Sequence, residues 1–294
     1  MSLSGRAGII AALLALGCEQ TPSPVATSPA RPLVVASNFP LYDFARHVAG
    51  DRAEVAPLIP PGVTPHDWEP SPRDVADARR ARLFVYNGAA LEPMAERLVG
   101  ELTGKGPAVL SATDGLPLLG KDPHVWLDPV LAQRQVDTIT AGLVRADAAG
   151  RATYERNAAA YRARLGELHE ALAAGLQTCA RRDFVTSHDA FAYLARRYRL
   201  QPVAAMGLAP ESEPSPQDLA RLVRFARGRN VKVVFFETLV SPRVAETIAR
   251  EVGARTLVLN PIEGLTREEA AAGTDYVGLM RANLDNLRVA LECR

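Results

Sequence analysis

Between Arg151 and Gln177 the chain carries Tyr154, Ala158, Tyr161, Leu165, Leu168, Leu172 and Leu176 at steps of three and four residues, without a proline in the run. That spacing predicts one amphipathic helix. At a rise of about 1.5 Å per residue it extends roughly 40 Å, long enough to reach across two lobes. Such a helix is a candidate spine, and it divides the chain into two flanking halves.

In each half, short β-branched or aromatic runs alternate with longer helical patterns. Pro32 to Ala36, Val55 to Ile59 and Leu83 to Tyr86 precede the spine, and Phe184 to Thr186, Val231 to Phe236 and Thr256 to Leu259 follow it. Alternation of this kind predicts an α/β protein with mostly parallel sheets. The halves also share a phrase, Glu69-Pro-Ser-Pro-Arg-Asp74 in the first and Glu213-Pro-Ser-Pro-Gln-Asp218 in the second, each placed before a helix and then a strand. Ser71 and Ser215 suit the N-cap, Pro72 and Pro216 the first turn, where no amide donor is needed, and Asp74 and Asp218 close a capping box. Good capping chemistry is common, but its recurrence in the same place before a strand favours two related lobes.

The 294 residues, 48% of them hydrophobic, supply material for two buried cores. With 34 basic against 33 acidic residues the formal charge is +1, so no large one-signed field exists to hold nucleic acid or an anionic membrane. The chain opens with Arg6 in a short polar start and an apolar run from Ala7 to Gly17, too short to span a bilayer. This reads as a signal-peptide core over residues 1–17. It ends at Ala15-Leu16-Gly17-Cys18, where small residues precede a cysteine suited to acylation, with plain cleavage as the alternative. Residues 18–32 would then be the lipid-anchor cysteine and a tether rich in Pro, Ser and Thr. The remaining cysteines, Cys179 and Cys293, are even in number in an exported chain, which permits one disulfide. Two free buried thiols are the alternative reading.

Three of the five histidines stand in unusual surroundings: Pro65-His66-Asp67-Trp68-Glu69, Asp122-Pro123-His124-Val125-Trp126, and Val185-Thr186-Ser187-His188-Asp189. Each falls at a loop or strand end, and His188 directly follows a strand, where open α/β sheets present ligands. Proline beside His66 and His124 restricts the backbone and so limits where each imidazole points, which suits a preformed metal site. His47 and His169 lie inside helical patterns and read as surface or packing residues. The wide separations match no local metal motif such as H-E-x-x-H.

The phrases Thr64-Pro-His-Asp-Trp-Glu-Pro-Ser-Pro72, Asn87-Gly88, Asp122-Pro-His-Val-Trp-Leu-Asp-Pro129, Thr186-Ser-His-Asp-Ala190, Phe236-Glu237 and Gly273-Thr-Asp-Tyr276 occur in one order along the chain. In them the sequence resembles the cluster A-I metal-binding lipoproteins, the solute-binding components of bacterial zinc and manganese ABC importers. The resemblance runs from Leu33 to the C-terminus. It implies two lobes of four-stranded sheet and helices, at 33–147 and 179–294, joined by a connecting helix at 148–178, with a metal in the cleft. Carried onto this chain, it implies His66 and His124 as ligands from the first lobe, and His188 with a later carboxylate from the second. Asp275 is the expected carboxylate, although some relatives carry the acid directly after the glycine, where Thr274 stands here. Glu237 is the alternative, as a ligand or as a support behind one.

Three imidazoles and a carboxylate suit Zn²⁺. Manganese prefers more oxygen, and relatives resembling manganese receptors often have glutamate where His188 stands. The resemblance therefore implies a monomeric, extracytoplasmic receptor that carries Zn²⁺ to a membrane permease with its ATPase, touching the membrane only through Cys18. A manganese or iron receptor of the same class is the runner-up, and a zinc hydrolase and a surface adhesion protein are the remote alternatives.

Overall fold

Why these short strands assemble into two sheets is visible in their composition. Leu33–Ala36 (β1), Leu83–Tyr86 (β3) and Val233–Phe236 (β7) are apolar throughout, Asp183–Thr186 (β5) is apolar at its centre, and all four are nearly fully buried, the pattern of inner strands of a parallel sheet covered on both faces. Their neighbours are Glu54–Pro57 (β2), Ala108–Ser111 (β4), Gln201–Ala204 (β6) and Arg255–Val258 (β8). All pairings are parallel, in the order β2-β1-β3-β4 in the first sheet and β6-β5-β7-β8 in the second. The two lobes thus repeat one topology. The computed structural model describes Met1, 31–102, 104, 106–208 and 214–294. The expected leader, Cys18 and nearly all of the tether lie outside the described residues.

Two strands were not anticipated from the sequence. β4 and β6 are both edge strands. β6 contains Pro202, a residue tolerated at an edge because its missing amide is not needed by a second neighbour.

The first lobe carries helices Phe39–Ala49 (α1), Pro72–Arg80 (α2), Pro93–Leu102 (α3) and Pro129–Ala146 (α4). The Ser71 side chain accepts from the Asp74 amide while Asp74 answers to the Ser71 backbone, so the expected capping box starts α2. Asp128 accepts from the Val130 amide to start α4. The spine is Arg151–Gly175 (α5), about 37 Å long at the helical rise. Its buried face is Tyr154, Ala158, Tyr161, Leu165, Leu168 and Leu172, the stripe read from the sequence.

Helices Ala192–Tyr198 (α6), Pro216–Gly228 (α7), Arg243–Val252 (α8), Arg267–Ala271 (α9) and Tyr276–Ala290 (α10) complete the second lobe. Ser215 accepts from the Asp218 amide to start α7, without the full capping box that Ser71 and Asp74 form at α2. α5 packs on α1 and α4 from one lobe and on α10 from the other, so one apolar core runs through both lobes along the spine. Separate smaller cores cover the outer face of each sheet. Cys179 and Cys293 are joined in a disulfide that ties the segment after α5 to the end of the chain.

In each sheet the strand order reverses beside β1 and β5, and there the helices leave on opposite faces. Such a switch point opens a crevice at the carboxyl ends of the strands. The site is built from the loops at these ends.

Candidate metal centre

His66 lies in a turn after β2. Pro60, Pro61 and Pro65 stiffen the approach, and the buried Trp68 anchors the turn in the core against the outer face of the first sheet. His124 follows Pro123 and precedes a single tight turn, Val125–Leu127, whose three side chains are buried. Asp122 fixes this imidazole, accepting from the His124 amide at 2.9 Å and from Nδ1 at 2.7 Å through the same oxygen. His188 leaves the end of β5. Its Nδ1 donates to Glu237 Oε2 at 2.7 Å, and its amide donates to Glu237 Oε1 at 3.2 Å. Glu237 itself stands at the end of β7, so two adjacent strand ends supply the imidazole and its acceptor.

Because a carboxylate can only accept, Nδ1 of both His124 and His188 carries hydrogen. Nε2 of each then presents its lone pair when the ring is neutral. These nitrogens turn toward a fourth side chain, Glu263, in the loop after β8. Oε1 of Glu263 lies 3.3 Å from His66 Nε2, 3.0 Å from His124 Nε2 and 3.3 Å from His188 Nε2. The four ligand-type atoms all fall within 4.8 Å of one another. His124 and His188 are fully buried, and Glu263 is 4% exposed. His188 Nε2 is buried and poorly aligned for a hydrogen bond to the Glu263 oxygen 3.3 Å away, a nitrogen whose lone pair a cation would satisfy.

The electrostatics follow from this convergence. Burial opposes ionisation of Glu263, yet the three imidazoles override it and hold the carboxyl well below its ordinary range. Burial also works against a charged His188, but Glu237 and Glu263 outweigh it and push the imidazole up to about 10. His124 is raised in the same way, against burial, by Asp122 and Glu263. A proton on His124 or His188 Nε2 occupies the lone pair that a cation would need. A metal ion entering the cluster competes for the same lone pairs.

Three of the residues singled out from the sequence, His66, His124 and His188, meet here. Asp275 does not. It is the N-cap of α10, accepting from the Gly278 amide at 2.7 Å, and it pairs with Arg164 of the spine at 2.9 Å. Its carboxylate therefore has structural work outside the cluster, and Glu263 holds the place expected for it. An aspartate directly before an apolar periodic run is an N-cap signal. Glu237 stands behind His188 rather than among the converging atoms. His47 and His169 are helical, as expected, with His47 stacked on Tyr161 at 4.2 Å between ring centres.

Two α/β lobes of matching topology on one helical spine, with imidazoles and a carboxylate gathered at facing strand ends, define the class as a two-lobed solute-binding protein with a metal-type site. The chain belongs to the family described as the zinc-uptake complex component A, periplasmic (ZnuA), whose model matches residues 34–290. It is 40% identical over 281 residues to the high-affinity zinc uptake system protein ZnuA of Bacillus subtilis, covering 88% of this chain and 87% of that one. The zinc-binding lipoprotein AdcA of Streptococcus pneumoniae is 38% identical across 87% of this chain, which spans only 55% of AdcA. The Zn(II)-bound ZnuA-like domain of AdcA superposes with a TM-score of 0.81 at 39% identity, over 90% of this chain and all of that domain. The laminin-binding protein Lmb of Streptococcus agalactiae, described as having adhesin and metal-transporting activity, gives a TM-score of 0.81 at 34% identity over 88% of this chain and 99% of its own.

Proposed function

We propose that this chain is the zinc receptor of an ABC importer. It captures one Zn²⁺ ion as cargo on His66, His124, His188 and Glu263 and delivers it to a membrane permease paired with an ATPase. The observation that carries the reading is the convergence of three imidazole Nε2 atoms and one carboxylate oxygen in a buried cleft. A nitrogen-rich set of four suits the borderline-soft zinc ion and its tetrahedral preference, whereas manganese favours oxygen ligands and higher coordination. The names of the similar ZnuA and AdcA proteins support the same substrate.

Four protein ligands would close the coordination sphere and leave no open position for water or substrate, which favours a receptor over a hydrolase. Acylation at Cys18 would hold a monomeric receptor at the outer membrane face, with residues 33–147 and 179–294 as the lobes that meet the permease. The likeness to Lmb supports one further reading, a second role in adhesion, tested by binding of the purified protein to immobilised laminin.

The test is native mass spectrometry of chelator-stripped protein with equimolar Zn²⁺ and Mn²⁺, beside the His188→Ala variant. One zinc retained by the parent and lost by the variant is expected. Preferential manganese retention would reassign the cargo, and retention of neither would refute the receptor reading. In cells, deletion of the gene should slow growth in chelated medium, with rescue by added zinc.

A further inference from the structure

Glu263 has no proline directly beside it and lies beyond the end of β8 rather than on it. It sits in the loop Asn260-Pro261-Ile262-Glu263-Gly264, and the backbone immediately before it is unusual. Ile262 has φ of +61°, a left-handed conformation that a β-branched side chain adopts only when its surroundings enforce it. The surroundings are specific. The Asn260 amide donates to Asn283 Oδ1 at 2.8 Å, and Asn283 Nδ2 donates back to the Asn260 carbonyl at 2.6 Å. Asn260 then turns its own Oδ1 to accept from the Ile262 amide at 2.7 Å. From the first lobe, Trp126 Nε1 donates to the Pro261 carbonyl at 2.8 Å. Asn260, Ile262 and Asn283 are all buried.

We infer that Asn283 of α10, acting through Asn260 and the left-handed Ile262, is a positioning residue for metal capture that holds the Glu263 carboxylate among the three imidazoles. The inference rests on the assignment of Glu263 as the fourth ligand. Asn283 reaches no ligand directly. Its two hydrogen bonds fix both backbone groups of Asn260, and the turn this creates reverses the chain so that Glu263 faces inward. The bond from Trp126, two residues from His124, references the same turn to the ligands of the first lobe, so the fourth ligand is placed against both lobes at once. An asparagine suits the role because one side chain supplies a donor and an acceptor in a fixed plane.

The test is a double-mutant cycle read as zinc affinity by chelator competition, with folding checked by circular dichroism. In the parent background Asn283→Ala should weaken zinc binding by about tenfold, the scale seen when supporting partners of metal ligands are removed. In a Glu263→Ala background the same change should cost less than about twofold, because the group it positions is gone. Equal losses in both backgrounds would show a general structural role and overturn the inference, as would no loss in the parent. If Asn283→Ala fails to fold, Asn283→Asp carries the test with the same two outcomes: it keeps the acceptor for the Asn260 amide and sets a carboxylate oxygen against the Asn260 carbonyl in place of the donor. Glu263→Ala that binds zinc as tightly as the parent would instead refute the ligand assignment itself.

Discussion

Replacing Asp275 with alanine separates a structural carboxylate from a ligand. In the structure this side chain caps α10 through the Gly278 amide and pairs with Arg164. Loss of an N-cap costs about 1 kcal/mol. The ion pair is partly solvated, with Arg164 45% exposed, so it adds about 0.5 kcal/mol. The sum, about 1.5 kcal/mol, should lower the melting temperature by about 2–3 °C for a chain of this size. Burial works against ionisation of Asp275, but the Gly278 amide and Arg164 prevail and lower its pKa. A depressed carboxylate contributes stability that is complete above its unfolded-state pKa and is lost as pH falls through the folded value. The difference between parent and variant should therefore be full at neutral pH and close in acid. Zinc affinity should stay within about twofold of the parent, whereas Glu263→Ala should lose a hundredfold or more, since even supporting partners cost about 10–100-fold. Melting curves from pH 3 to pH 7, about the ordinary carboxylate range, with chelator competition at neutral pH, decide it. An intact fold with a large affinity loss in Asp275→Ala would refute the reasoning.

Zinc binding should release protons at neutral pH, because His188 is held protonated up to about 10 by Glu237 and Glu263; affinity should rise with pH through the neutral range, and calorimetry in buffers of different ionisation enthalpy should reveal the released protons. Glu237→Gln weakens the acceptor that orients His188 and should cost about 10–100-fold in zinc affinity with little change in melting temperature. Reduction of the Cys179–Cys293 disulfide, which closes a separation of 114 residues, should destabilise the protein by about 2–4 kcal/mol, read as a lower melting temperature under reductant. Gly142→Ala on α4 would bring a Cβ within 2.8 Å of Leu110 and 3.3 Å of Leu83; crowding of about 1–3 kcal/mol should exceed the helix-propensity gain and appear as a lower denaturation midpoint.

Much of the architecture was legible because it rests on local rules. The spacing from Tyr154 to Leu176 displayed the buried face of α5, and the paired Ser-Pro-x-Asp caps displayed the lobe repeat. The strands β4 and β6 were not legible: Ala-Val-Leu-Ser and Gln-Pro-Val-Ala each offer one β-branched residue and no aromatic, and Pro202 disguises the second. His66, His124 and His188 were legible because prolines or a strand end fix them locally. Glu263 was hidden among 33 acidic residues, since what selects it is a left-handed isoleucine held by an asparagine on α10, a long-range arrangement without a sequence period. A signal did exist, in the glutamate between Pro261 and Gly264 shortly after a strand run. Asp275 attracted attention through its position after Gly273, while the helix that it starts explains the residue.

The central claim, that zinc sits on His66, His124, His188 and Glu263, is tested most directly by anomalous diffraction at the zinc edge from crystals of the metal-loaded protein. One peak between the two lobes is expected, with three nitrogen contacts at about 2.0–2.1 Å and one carboxylate contact at about 2.0–2.2 Å. A peak coordinated by Asp275, or zinc held only at the surface, would contradict it.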